Sequence, residues 1–372
     1  MKRIFFTVTN DLTYDQRMHR ICRSLAESGY AVTLVGFRRN SSLPLRQERF
    51  NQKRLFLLFS KGKLFYIECN IRLFLYLLFK KINAICAIDL DTILPCLFIS
   101  KLKRIPRIYD AHELFTETKE VIRRPAIKKI WMKIEKYTVS QFKAGYTVSE
   151  SIAEELKRRY EVQYEVIRNV TSLKNDIQSF AREFVFYQGA INEARSFEYL
   201  IPAMKQVNNR LVICGDGNFM TKLKELIRQN CVEDKVELKG MLLPDQLWQL
   251  SLSAKVGITI IENEGMNQYF SLPNKFFDYI HAEIPQVAVN YPEYRKINDQ
   301  FEVAILLDKN EPALIAKAIN NLLTDDVLYS RLRKNCIIAR QTLNWQNEEK
   351  KLIQFYNNLF DKLGSSSSHS MS

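Results

Sequence analysis

A chain of 372 residues, 47 % hydrophobic and 12 % aromatic, is too long for one ordinary core, suits two domains, and is too apolar to be disordered. Its net charge of +14 is lopsided: residues 1–170 hold 32 Lys and Arg against 17 Asp and Glu, whereas residues 171–372 hold 23 against 24. The first half therefore calls for an anionic partner such as nucleic acid, an acidic membrane surface or an anionic glycan, while the lack of any run of about 18 uncharged apolar residues argues against a membrane span.

The chain opens with strand-like runs at 3–8 and 31–36 around a helical pattern over 15–27, the start of a parallel α/β sheet. The connecting turn, Thr9 to Asp15, has no glycine, so the Gly-x-Gly-x-x-Gly dinucleotide fingerprint is missing and an NAD(P) enzyme is disfavoured. Asn10, Asp11 and Arg17 sit at this strand end, where they either line a site or cap the helix. Residues 54–82 interleave Lys and Arg with Phe and Tyr. A helix over about 65–81 is expected there, either interfacial or buried in the first domain. No zinc-finger, RNP or KH signature accompanies it, so nucleic acid is set aside.

Next come a strand at 84–88, the acidic turn Asp89-Leu90-Asp91-Thr92, a helix to about 102, and a strand at 107–109 that runs into Asp110-Ala111-His112-Glu113. His112, one of four histidines, titrates nearest neutrality and is a catalytic candidate; the alternative is a helix-start residue bonded to Glu113 or Asp110. Asp89-x-Asp91 has metal-motif spacing, but the histidines are scattered and no Cys/His cluster occurs, so no metal site is expected. The seven cysteines are odd in number and read as reduced thiols; with no signal-peptide pattern at the start, a cytoplasmic protein is expected. A helix over 125–142, a strand at 145–148, a helix capped by Ser149 and a strand at 164–169 complete the first half. The polar stretch 171–181 marks the boundary.

The second half repeats the rhythm, with strands near 183–188, 210–214, 235–238, 255–261 and 285–289. After the first of these, Gly189 permits close backbone approach and Arg195 offers a bidentate phosphate donor. After the second, Gly215-Asp216-Gly217 makes a turn. The stretch 261–285 joins a strand to a helix through a polar turn ending in Pro273 and Asn274, which puts Lys275 and Asp278 on one face of the first two turns. They form either an anion and sugar-hydroxyl clamp at a helix start or a surface ion pair. Helices near 311–323, 326–341 and 345–360 follow. The tail 363–372 is low-complexity and expected to be disordered.

In their order and spacing, Asn10-Asp11-Leu12 with Asp15-Gln16-Arg17, Asp89-Leu90-Asp91-Thr92, Tyr109-Asp110-Ala111-His112-Glu113 and Pro273-Asn274-Lys275-Phe276-Phe277-Asp278-Tyr279 resemble the retaining glycosyltransferases of family 4, closest to a bacterial surface-polysaccharide subgroup. The resemblance spans the chain to about residue 360. It implies a GT-B fold, two Rossmann-like domains with parallel sheets facing across a cleft: 1–172 for the acceptor, 173–344 for the nucleotide sugar, and a helix at 345–362 crossing back to the first domain.

It also implies metal-independent transfer of a hexose-type sugar from a nucleoside-diphosphate sugar to a glycan or lipid-linked acceptor, on one face and without a protein nucleophile. No cofactor is implied. Asp278 falls where the family has a ribose-binding glutamate, and Arg195 and Lys275 where diphosphate cations are needed, with Gly189, Gly215, Asn274 and Glu264 also on the donor side. Asn10, Asp11, Arg17, Asp91 and His112 fall on the acceptor side, His112 near the reacting sugar. The family's second glutamate falls on Phe270, so Glu262 or Glu264 must reach the site by another path or the role is absent. The alternatives are a GT-B epimerase and a non-catalytic, membrane-associated assembly subunit. The basic first half suits peripheral association with the inner face of the cell membrane.

Overall fold

A computed structural model describes every residue except Tyr14, Ser41, 175–180 and 369–372, with side chains through Lys362. Part of the expected boundary and the end of the tail thus lie outside the described residues. The chain divides into two compact units, Met1–Asn169 with Glu348–Ser372, and Val170–Asn347.

In the first unit β1 (Arg3–Thr7) leads to α1 (Gln16–Glu27), β2 (Ala31–Phe37), β3 (Asn51–Leu55), α2 (Gly62–Leu78), β4 (Ala84–Ile88), α3 (Ile93–Lys103), β5 (Arg107–Ala111), α4 (Lys119–Ile122), α5 (Pro125–Thr138), β6 (Ala144–Thr147), α6 (Glu150–Tyr160) and β7 (Glu165–Val166). All strands are parallel in the order β3-β2-β1-β4-β5-β6-β7. The order reverses between β1 and β4, so a crevice opens beyond their carboxyl ends. Ser149 caps α6 as expected, accepting from the Ile152 N–H at 3.3 Å, whereas the cap of α1 is Asp15, which accepts from the Met18 N–H at 3.0 Å.

β3, Asn-Gln-Lys-Arg-Leu, was not foreseen, because an exposed edge strand needs no apolar alternation. The helix expected at 65–81 runs from Gly62 to Leu78. Both of its anticipated characters are present: Phe65, Cys69, Leu73 and Leu77 are buried, while Leu64, Ile67, Ile71 and Leu75 on the other side are each more than half exposed.

The second unit continues with β8 (Phe184–Gln188), α7 (Phe197–Ala203), β9 (Leu211–Cys214), α8 (Met220–Gln229), β10 (Val236–Gly240), α9 (Pro244–Leu252), β11 (Ala254–Thr259), α10 (Met266–Tyr269), α11 (Asn274–His281), β12 (Gln286–Val289), α12 (Pro292–Phe301), β13 (Ala304–Leu307), α13 (Pro312–Thr324) and α14 (Asp326–Thr342). Its sheet is also parallel, ordered β10-β9-β8-β11-β12-β13 and reversing between β8 and β11.

The last helix, α15 (Trp345–Ser368), is helical beyond the point where a disordered tail was expected. Its residues 348 onward belong to the first unit, where Leu352 and Tyr356 are fully buried, Phe360 stacks on Tyr30 at 5.7 Å, and Glu348 accepts from the Arg168 N–H at 2.9 Å. Among the described residues no helix is long and apolar enough to cross a membrane. All seven cysteines are free, and only Cys231 is exposed.

Candidate functional site

The reversal point of the second sheet is built from β8, β9 and the start of α11. Gly189 ends β8 with φ +124°, and its N–H donates to the Cys214 carbonyl at 3.0 Å. Gly215, φ +143°, passes so close that a Cβ there would sit 1.9 Å from the Gly189 carbonyl oxygen, so only glycine fits. α11 is pinned to this corner by Tyr279, whose hydroxyl donates to the Phe186 carbonyl at 3.0 Å and accepts from the Gln188 N–H at 3.1 Å.

That registration buries Lys275 in the first turn of α11. Its side chain is 8 % exposed, its ammonium lies 3.5 Å from the Tyr187 ring centroid, and its Nζ has no hydrogen-bond partner. Burial, and next the neighbouring Arg195 guanidinium, push its pKa well below the ordinary lysine value. The Lys275 amine and the Arg195 guanidinium are thus neighbours, and among the described residues the amine has no acceptor, beside a glycine that leaves room: a Cβ on Gly189 would lie 3.8 Å from the Lys275 Nζ.

Asp278 lies one turn on. Its carboxylate accepts from the Thr171 hydroxyl at 2.6 Å and from the Gln188 side-chain amide at 2.9 Å. It does not pair with Lys275, which removes the surface ion-pair alternative. Asn274 is exposed at the helix start, and Glu264 is exposed in the turn before α10, where its N–H donates to the Gln268 side-chain oxygen at 3.0 Å. Phe270 follows α10 with its ring 5.5 Å from that of Tyr269.

In the first unit, the ends of β4 and β5 gather acids around one histidine. Asp110 is fully buried; one carboxylate oxygen accepts from Arg17 at 3.0 Å and the other lies 3.0 Å from His112 Nε2. His112 Nδ1 lies 3.6 Å from Asp89, whose other oxygen accepts the His112 N–H at 2.8 Å. Asp89 itself has φ 54°, a left-handed backbone rare outside glycine. Asp91 accepts from the Thr9 hydroxyl at 2.5 Å.

Burial alone would lower the His112 pKa, but Asp110 and Asp89 outweigh it and raise it to about 9. Burial likewise opposes ionisation of Asp110, yet Arg17 and His112 hold it below the usual carboxylate range. Burial raises Asp89, and raises Asp91 to about 6. His112 therefore bonds to Asp110, one of the two alternatives left open by the sequence, while its side chain keeps 22 % exposure.

The other residues expected here are placed differently. Asn10 bonds Asp15 at 2.6 Å, and Asp11 accepts from Thr13 and Ser42, so both shape the turn after β1. Arg17 is buried, donates also to the Ile167 carbonyl at 3.0 Å, and acts through Asp110. Sequence reasoning left Asp89 and Asp110 out of the site, although both stood at strand ends, and it could not foresee Thr171 and Gln188 beside Asp278.

Residues 16–174 match the family model described as Glycosyltransferase Family 4, and residues 173–339 the one described as Glycosyl transferases group 1. No curated protein sequence matches the chain significantly. Among solved structures it is similar to sucrose-phosphate synthase from Thermosynechococcus elongatus, at 15 % identity and TM-score 0.81, covering 97 % of this chain and 100 % of that one. It is similar also to HepE from Anabaena in complex with UDP and glucose, at 14 % identity and TM-score 0.75, over 96 % and 100 %. A third similar structure is WaaG, a glycosyltransferase involved in lipopolysaccharide biosynthesis, at 12 % identity and TM-score 0.69, over 94 % and 98 %. With these two domain matches end to end and two parallel Rossmann-like sheets, the chain is a glycosyltransferase of the GT-B fold.

Proposed function

We propose that the protein transfers a hexose-type sugar from a nucleoside-diphosphate sugar to an acceptor hydroxyl, with retention of configuration and without a metal, in bacterial polysaccharide or glycolipid synthesis. The observation that carries this reading is the buried, unpartnered Lys275 ammonium beside Arg195 and the Gly189 turn. Two cations in a poorly hydrated corner are complementary to a diphosphate, and they offset the charge that grows on it as the glycosidic bond breaks. Asp278 is assigned to the ribose hydroxyls, exchanging its bonds to Thr171 and Gln188 for them.

In the transfer, the bond from the anomeric carbon to the diphosphate oxygen breaks and the bond to the acceptor oxygen forms on the same face. The acceptor proton passes to the departing diphosphate. His112, held by the ionised Asp110 with its pKa raised to about 9, is unavailable as a base at neutral pH and instead presents positive charge to the reacting sugar. Of the relatives, HepE is described in complex with UDP and glucose and WaaG as acting in lipopolysaccharide biosynthesis; a UDP-sugar donor and a bacterial glycan product are therefore the first choices to assay.

We place the protein peripherally on the inner face of the cell membrane, supported by the basic first half and by Phe98 and Leu102 of α3 and Met132 and Tyr137 of α5, all exposed beside lysines. Flotation with vesicles of graded anionic lipid content is the check; binding indifferent to lipid charge contradicts that placement. Product analysis by NMR from a panel of UDP-sugars tests the transfer itself: the anomeric configuration of the donor should be kept, and inversion would overturn the mechanism.

A further inference from the structure

Within the first unit, α2 and α5 leave between them a cavity of about 940 Å³, at the upper end of the range for ligand pockets. Its walls are apolar: Ile67 and Ile71 from α2, and Ile130, Trp131 and Ile134 from α5. Trp131 stands edge-on to Tyr66 at 5.5 Å and to Phe115 at 4.9 Å, which makes an aromatic floor. Ile67 and Ile71 are each 55 % exposed and Ile130 53 %, an arrangement that costs free energy unless something apolar covers it.

The rim has the opposite character. Arg39, Lys61, Lys63 and Arg124 line it, against one acid, Glu120. The groove also adjoins the acid and histidine cluster. Asn70, on its wall, donates to the Asp91 carbonyl at 3.0 Å. Arg39, over the Phe65 ring at 4.4 Å, donates to the carbonyl of Thr9, whose hydroxyl donates to the Asp91 carboxylate.

We propose that this groove binds the hydrocarbon chain of a phosphate-bearing acceptor lipid, its phosphate against the basic rim and its sugar or hydroxyl toward Asp91 and His112. The occupant follows from charge complementarity: four cations against one carboxylate select an anionic head, and the apolar walls select a chain. A flat bilayer surface would meet the rim but leave the cavity empty. The identification of the lipid as acceptor rests on the glycosyl-transfer reading; the chain site itself does not.

The test uses the full chain and farnesyl phosphate, a soluble chain with one phosphate, followed by tryptophan fluorescence and calorimetry without donor. Saturable binding is expected, at least tenfold weaker for farnesol and absent for inorganic phosphate at millimolar concentration. Ile67→Asp and Ile130→Asp, both at exposed positions, should each weaken it at least tenfold while leaving nucleoside-diphosphate binding within twofold, with an unchanged circular dichroism spectrum and urea-unfolding midpoint verifying that the first unit folds. No saturable binding, binding within twofold of wild type in both variants, or binding only to intact vesicles would overturn the groove. Intact lipid binding with no sugar transfer to any lipid phosphate would contradict the transfer reading instead.

Discussion

The two sheet-reversal points of this molecule are built on opposite electrostatic plans. In the first unit opposite charges are set against one another: Arg17, Asp110, His112 and Asp89 form a chain of contacts at 2.8–3.6 Å. In the second, Lys275 is buried without a hydrogen-bond partner and Arg195 adds repulsion. A satisfied network rigidifies its surroundings, whereas an unsatisfied buried cation costs stability that a bound anion restores. The first reads as a prearranged surface against which a substrate is positioned, the second as a socket that is complete only with its ligand.

That contrast is open to direct attack. The largest effect is expected from Arg17→Met, which strands the buried Asp110: removing one partner of a buried pair costs about 3–5 kcal/mol, read from urea unfolding of the first unit. Arg195→Ala should cost about 2–4 kcal/mol of barrier to donor turnover with little change in stability, and turnover within twofold of wild type would remove Arg195 from the diphosphate site.

A smaller effect should appear in the pH dependence. His112 is raised to about 9, so its contribution is full below the unfolded value of about 6.5 and is lost as pH rises through 9. Asp89 and Asp91, also raised, act in the same sense from lower pH. Stability of the first unit should therefore fall between about pH 6.5 and 9, and His112→Gln should flatten the upper part of that slope. The smallest signal is at Lys275, whose pKa is depressed. A nucleoside-diphosphate sugar, which has no phosphate titrating near neutrality, should be bound with uptake of a fraction of a proton above the depressed pKa. Calorimetry in buffers of different ionisation enthalpy measures it, and Lys275→Met should abolish it.

Much of the fold was legible because strand runs and amphipathic helices alternate with strong period signals; both parallel sheets follow from that rhythm. β3 was hidden because Asn51 to Leu55 lies at a sheet edge where burial writes no pattern. At the site, residue types were readable and their environments were not. Lys275 and Asp278 share a helix face in any reading, but whether they pair depends on Tyr187, Gln188 and Thr171, which only the folded chain brings near. Arg17 and Asp110 meet across 93 positions, a contact that no local spacing announces. Asp89 carries its signal in a backbone of φ 54° and ψ 177°, a region otherwise kept to glycine, which the residue type does not advertise.

The central claim is that Lys275 is kept buried and unpaired for an anionic ligand. Titrating UDP into wild type and Lys275→Met, with thermal unfolding of both ligand-free proteins alongside, tests it most directly. The account predicts an affinity loss of about 100-fold, near 2.7 kcal/mol, together with a ligand-free protein at least as stable as wild type, since a desolvated charge has been removed. Affinity within twofold of wild type, or a ligand-free variant that is markedly destabilised, would contradict it.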